Sequence, residues 1–317
     1  MRRVIAVLVV AALAGCGGGE EAASRPTVVL SLDFVPNAVH APIYAAVRNG
    51  HDRDEGIRLE IRKPAGGPDA LKLVTAGRVD LGVLDIHDLA IARLQGADLV
   101  AVGALVGRPL AALIARPGID RPRDLEGRTV GVSGLPSDPA FLRAILEHDG
   151  ADYDKVKQVT IGFAAVSRLL TGRVDAVPAF WNAEGVALKR RGLDVREFRV
   201  DDYGAPPYPE VVLITSRRTL AAHRDRVQRA LAAIEAGLRD TLEDPDAAAR
   251  QIATAAETKD VGLVRAQLDA VTPVFARGLR LDRDVVEQWA DFDARIGIVD
   301  ERPDVARAFD FTLASGD

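Results

Sequence analysis

Ala76-Gly77-Arg78-Val79-Asp80 is echoed further along the chain by Thr171-Gly172-Arg173-Val174-Asp175, and each copy reads as the link from a helix into a strand. A glycine just past a helix supplies the turn that stops it, and an apolar strand follows. Such links are common wherever helices and strands alternate, so the echo supports two similar lobes and leaves the surrounding pattern to establish them. Around the first copy, Thr27 to Leu32, Leu59 to Ile61, Asp80 to Leu84 and Leu99 to Leu105 read as strands. Pro42 and Gly50 bracket a helix over Ala41 to Asn49, and Pro68 and Gly77 bracket the next. Around the second copy, strands at Thr129 to Val132, Lys157 to Thr160 and Val174 to Ala179 alternate with helices at Ser137 to His148, Ala164 to Leu170 and Asn182 to Arg191. This alternation implies right-handed βαβ units and a mostly parallel sheet in each lobe.

After a strand at Val211 to Thr215 the chain reads as helical to its end, over Leu220 to Leu242, Asp246 to Ala256, Val261 to Phe275 and Asp284 to Ile296. Helices without strands of their own need a sheet to cover. The chain is therefore expected to leave the first lobe near Ala104 to Ala115 and return to it through Val211 to Thr215. The fold class is α/β: a two-lobed clamp with two crossover strands at the hinge, lobe 1 comprising residues 27–107 and 216–317, lobe 2 residues 108–215. Strand ends and helix N-termini from both sheets then converge on a cleft, the natural place for a ligand.

The N-terminus has its own signature. Arg2 and Arg3 precede an apolar run from Val4 to Leu13, small residues at Ala14 and Gly15, then Cys16 and a Gly17-Gly18-Gly19-Glu20-Glu21 break. This reads as an export signal over 1–16, too short to anchor the chain by spanning a bilayer, with a linker over 17–26. Leu13-Ala14-Gly15-Cys16 resembles the bacterial lipobox, whose cysteine is acylated. Cys16 is the only cysteine, so neither an internal disulfide nor a cysteine-based metal site is available. The resemblance implies an extracytoplasmic lipoprotein held at the cell membrane by its acyl chains.

With 41 basic against 46 acidic residues the formal charge is −5, and no basic stripe interleaved with aromatics occurs. Nucleic acid is not an expected partner. The histidines at 40, 51, 87, 148 and 223 show no metal-ligand spacing, and no nucleophile-elbow or kinase-like motif is present. No catalytic residue, metal or cofactor is expected, and the protein is expected to be a monomeric binding protein.

The densest chemistry is Asp33-Phe34-Val35-Pro36-Asn37-Ala38-Val39-His40-Ala41-Pro42-Ile43-Tyr44, at the carboxyl end of the first strand. An acid, an amide, an imidazole and two aromatics gather where a loop needs only turn residues. Singly, each has an ordinary role: Asp33, Asn37 or His40 as a cap, Phe34 or Tyr44 as core. Asp85-Ile86-His87-Asp88 follows another first-lobe strand and either faces the cleft or caps the helix that starts near Asp88. Ser133-Gly134-Leu135-Pro136-Ser137 joins a strand to a helix in the second lobe, offering amides and hydroxyls to a polar group, with Ser137 a candidate N-cap. Gly66 and Gly67 are a weaker version without a phosphate-loop lysine.

Asp33, Phe34, Pro36, Asn37, His40 and Tyr44 match the D-(W/F)-x-P-N-x-x-H-x-x-x-Y block of the pyrimidine-precursor members of the thiamine-synthesis binding-protein family. Pro178-Ala179-Phe180-Trp181-Asn182-Ala183-Glu184 resembles that family's W-N-x-E signature, and Gly204-Ala205-Pro206-Pro207-Tyr208-Pro209-Glu210 its G-x-P-x-Y segment. The chain is similar to the family over its whole length after the leader. Phe34 stands where the family more usually has tryptophan. The resemblance implies a periplasmic-binding-protein type II clamp, the solute-binding component of an ABC importer, served by permease and ATPase subunits and taking an aminopyrimidine-like ligand. Such a flat heterocycle suits aromatic faces, Trp181 and Tyr44, with Asp33, Asn37 and Glu184 reading its edge. The family blocks add His40, Asn182 and Tyr208 to the candidate site, Asp85 and Ser133 join it by position, and Trp289 reads as core.

Two alternatives stand beside this. Eukaryotic pyrimidine synthases of the same fold resemble the chain, use pyridoxal phosphate and consume a histidine matching His40, but carry a cysteine-rich motif that is missing here. Other relatives bind riboflavin, alkanesulfonates or small acids. Anion binders need arginines or amide nests, whereas the motif loops here present Asp33, Glu184 and Asp85.

Overall fold

The computed structural model describes residues 25–66, 69–135 and 137–314. Residues 1–24, which hold the expected export segment, Cys16 and most of the expected linker, lie outside the described residues, as do Gly67 and Pro68. The chain runs β1 (Thr27–Ser31), α1 (Ala41–Asn49), α2 (His51–Asp54), β2 (Arg58–Arg62), α3 (Asp69–Thr75), β3 (Leu81–Asp85), α4 (Ile86–Leu94) and β4 (Leu99–Val106). It continues with β5 (Ala111–Ala115), β6 (Thr129–Val132), α5 (Asp138–His148), β7 (Lys157–Thr160), α6 (Ala165–Leu170), β8 (Ala176–Phe180), a π-helical turn over Trp181–Gly185, α7 (Val186–Arg190) and β9 (Arg196–Arg199). The last section is β10 (Val211–Ser216), α8 (Arg217–Glu243), α9 (Pro245–Ala255), α10 (Val261–Val271), α11 (Arg283–Arg295) and α12 (Val305–Ala308).

Two five-stranded sheets result, with orders β2-β1-β3-β10-β4 and β7-β6-β8-β5-β9. In each, three strands run parallel in βαβ units and one strand from the crossover region enters antiparallel: β10 beside β3 in the first sheet, β5 beside β8 in the second. The sequence division counts residues up to 215 with the second lobe, yet β10 pairs with both β3 and β4 of the first sheet. Its six residues are all buried, as a near-continuous apolar run inside a covered sheet must be.

The repeated pentapeptide occupies equivalent places in the two sheets. Gly77 and Gly172 both take φ +66, the left-handed turn that ends α3 and α6. Asp80 then accepts a hydrogen bond from the Val29 amide of β1 at 2.8 Å, and Asp175 accepts one from the Thr129 amide of β6 at 2.9 Å. Each carboxylate ties the entry of one parallel strand to its neighbour, a charge-assisted bond worth about 1.5–3 kcal/mol.

The C-terminal helices cover the first lobe, as unpaired amphipathic helices should. Gly237 of α8 lies so close to α1 that a Cβ there would meet the Pro42 carbonyl and come 2.6 Å from the Ala46 nitrogen. The edge strand β4 is fully buried, because later chain pairs with it: the Ala276 amide donates to Leu105 O and the Asp310 amide to Ala101 O, both at 2.9 Å. An otherwise open edge is closed this way. Among the described residues no helix is long and apolar enough to cross a membrane.

Candidate ligand-binding cleft

Where the carboxyl ends of the two sets of strands face each other there is a cleft of about 1210 Å³, counting its open mouth. The first lobe contributes Asp33, Phe34, Asn37 and His40 after β1, and Asp85, His87 and Asp88 after β3. The second contributes Ser133 and Asp138 after β6, Ile161 and Phe163 after β7, and Phe180 and Glu184 after β8, while Glu210 enters from the returning crossover. No lysine or arginine lines it among the described residues.

The β1 loop is held by its own polar groups. Asn37 Oδ1 accepts from the Val39 amide at 2.9 Å, and the Asn37 amide donates to His40 Nδ1 at 3.2 Å, a reciprocal cap. With Nδ1 accepting, the proton of the neutral ring sits on Nε2 and is donated to Asp33 Oδ1 at 2.8 Å. His40 is buried, so it fixes Asp33 on the cleft wall instead of offering itself. Phe34 meets Phe163 of the opposite lobe with ring centroids 4.0 Å apart at 53°. In the second lobe the amides of Gly134 and Leu135 and the Ser133 hydroxyl all donate to Asp138 Oδ2. That loop, a candidate polar-group binder in sequence, spends these donors on its own carboxylate. Glu184 accepts from the Phe180 amide at 3.2 Å, and burial pushes its carboxyl above the usual range despite that bond.

The floor of the cleft is a buried polar cluster. Asp85 both caps α4, accepting from the His87 amide at 2.7 Å, and lines the cleft. Glu210 Oε2 accepts from the Leu110 and Ala111 amides at 2.5 and 3.0 Å, tying the returning crossover to the outgoing one. His87 Nδ1 lies 2.7 Å from Asp293 Oδ1 of α11 and 3.2 Å from the Trp289 indole N–H. One nitrogen cannot donate to the first and accept from the second; the shorter contact, to a carboxylate, is the hydrogen bond. Burial disfavours a charged His87, but Asp293, with Asp85 and Glu210, carries its pKa up to about 10. Burial also raises Asp85, Glu210 and Asp293. Asp88, pushed up to about 8 by burial, accepts from the Ser137 amide at 3.1 Å, joining α4 to the head of α5.

Of the residues singled out in the sequence, Asp33, Phe34, Asn37, His40, Asp85, Ser133 and Glu184 meet in this cleft. Tyr44, Trp181, Asn182 and Tyr208 do not line it. Tyr44 packs in the first-lobe core. The Trp181 indole donates to the Pro109 carbonyl at 3.2 Å, with the Arg199 guanidinium 4.2 Å over its ring. Asn182 is fully buried, as is Tyr208, whose ring meets His87 edge-on at 4.7 Å. Trp289 is core, as read. Phe163 was not singled out, because a lone phenylalanine in a loop carries no signal until the opposite lobe is in place. Glu210 was legible only as the end of the third motif.

Two facing α/β lobes joined by two crossovers around an inter-lobe cleft define a periplasmic-binding-protein type II fold. Residues 37–248 match the family model described as NMT1/THI5 like, and the chain belongs to that family. It is 32% identical over 242 residues to the formylaminopyrimidine-binding protein of Halalkalibacterium halodurans, covering 75% of this chain and 73% of that protein. It is 26% identical over 295 residues to the 4-amino-5-hydroxymethyl-2-methylpyrimidine phosphate synthase of Legionella pneumophila, covering 90% and 91%. Among solved structures, the alkanesulfonate-binding protein SsuA from Xanthomonas axonopodis pv. citri bound to MOPS superposes with a TM-score of 0.72 at 19% identity, over 91% of this chain and 99% of that one.

Proposed function

We propose that this protein is the extracytoplasmic solute-binding component of an ABC importer, anchored through acylated Cys16, and that it captures an aminopyrimidine precursor of thiamine. The lobes are those divided at residues 27–107 with 216–317 and at 108–215, with β10 completing the first sheet. The observation that carries the reading is the composition of the cleft wall: phenylalanines and small apolar groups, with Asp33, Glu184, Asp85 and Glu210, and no cationic arginine or lysine among the described residues. A sulfonate or phosphate finds no lysine or arginine to pair with among the described lining residues, whereas an amino-substituted ring finds aromatic faces and acceptors. Phe34 and Phe163, one from each lobe, take the stacking role, and Glu184 and Asp33 read the exocyclic amine. The formylaminopyrimidine-binding relative supports the ligand class.

A pyridoxal phosphate-dependent synthase fits less well. Among the described residues no lysine lines the cleft to bond the aldehyde, and the Ser133–Leu135 donors, of the kind that hold a phosphate, are spent on Asp138. In the importer reading, ligand closes the lobes about the two crossovers, and the closed form is what the permease recognises. A thermal-shift panel of aminopyrimidines, riboflavin, pyridoxal phosphate and alkanesulfonates tests this. At a hundred times Kd the aminopyrimidine should add about 2.7 kcal/mol; stabilisation by a sulfonate alone would refute the assignment.

A further inference from the structure

Asp85 at the end of β3, His87 in the first turn of α4 and Glu210 in the returning crossover bring one donor atom each to within 4.8 Å of one another. The other side of each group is already held: Asp85 by the His87 amide, Glu210 Oε2 by the Leu110 and Ala111 amides, His87 Nδ1 by Asp293. His87 Nε2 and Glu210 Oε1 are buried and unbonded, on side chains 2% and 0% exposed. Tyr208, edge-on to the same imidazole, brings a further buried hydroxyl without a partner. Burying such atoms without a partner is costly, and two carboxylates this close need either a shared proton or a shared cation between them. An imidazole whose far nitrogen is gripped by a carboxylate is how protein structures orient a histidine toward a metal.

We propose that Asp85, His87 and Glu210 form a binding site for a divalent transition-metal ion at the floor of the cleft. Two carboxylates and one neutral imidazole balance a dication, and nitrogen with oxygen donors suits zinc or cobalt. Three protein ligands with the fourth position toward the cleft is the open form of zinc site. Donors around zinc at about 2.0–2.2 Å sit closer together than 4.8 Å, so binding draws the three side chains inward by on the order of 1 Å. Zinc displaces the imidazole proton, as at any histidine site. No spacing in the sequence reveals the trio, because Glu210 reaches it from a distant crossover.

The test is metal content and affinity of the purified, tag-free protein after chelator dialysis. Zinc is titrated by calorimetry and cobalt followed by its visible spectrum. One equivalent of zinc should bind in wild type and be lost in His87→Ala and Glu210→Gln. Asp293→Asn should weaken it about 10–100-fold while circular dichroism stays native. His51→Ala, which removes the half-buried His51–Asp240 pair away from the cleft, should leave zinc binding unchanged. Should a floor variant fail to fold, the cobalt spectrum of wild type decides: bands of a low-coordinate nitrogen and oxygen site support the proposal, and an octahedral aqua-ion spectrum overturns it. Absence of zinc binding in wild type, or binding equal in His87→Ala or abolished in His51→Ala, also overturns it; in the first case the carboxylates share only a proton.

Discussion

Replacing Phe163 with alanine should cripple ligand capture while sparing the fold. Phe163 sits in the loop after β7, half-exposed, and its main aromatic partner is Phe34 across the cleft at 4.0 Å between centroids. A flat ring that parts the two and enters between them exchanges their mutual contact for a face from each lobe. Stacking of a nucleic-acid base on an aromatic side chain is worth about 1–3 kcal/mol by alanine substitution. A pyrimidine is the same kind of surface, so Kd should rise about 5–150-fold. The Phe34–Phe163 pair itself, about 0.5–1.5 kcal/mol, is also lost, which loosens lobe closure without touching either core. Isothermal titration with an aminopyrimidine measures the loss, and a thermal melt of the free protein establishes folding. A Kd within twofold of wild type in a folded Phe163→Ala would refute the stacking assignment. Trp181→Phe, which keeps a ring away from the cleft, should change Kd less than Phe163→Ala does.

Gly237→Ala should lower stability by about 1–3 kcal/mol, because overpacking against the α1 backbone outweighs alanine's helix preference, lowering the melting temperature by several degrees. Asp80→Ala and Asp175→Ala should each cost about 1.5–3 kcal/mol in denaturant unfolding, since both remove the same strand clamp. Burial raises the Glu184 pKa in the folded state, so the free protein loses stability from this group as pH rises through that value. Amine binding needs the carboxylate and has the opposite sign, weakening as pH falls through it. Glu184→Gln should therefore stabilise the free protein at neutral pH in a thermal melt and reduce the pH dependence of amine binding in titration calorimetry.

Much of the fold was legible because its signals are local. Thr129–Val132 and Lys157–Thr160 are strands, and Ala41–Asn49 is a helix, over the residues that propensity and Pro/Gly bracketing assign. The two strands not read as strands are those without a local pattern. Ala111–Ala115 is a plain apolar run taken as part of a crossing, and Arg196–Arg199 is short, charged and at a sheet edge. The β1 loop was legible as a site because Asp33, Phe34, Asn37 and His40 are near neighbours in the chain. Trp181 reads toward the ligand because it follows a strand and stands beside Glu184 in a block that resembles the W-N-x-E signature. The turn over Trp181–Gly185 is π-helical, and the indole points at Pro109 of the crossover. Phe163, Glu210 and the His87–Asp293 pair depend on long-range assembly that no short window of sequence records.

The most direct measurement is a crystal structure of the protein with a bound aminopyrimidine. The account predicts the ring between Phe34 and Phe163, its exocyclic nitrogen on Glu184 or Asp33, with the lobes closed. A ring stacked on Trp181, or a heterocycle bound outside the cleft, would contradict it.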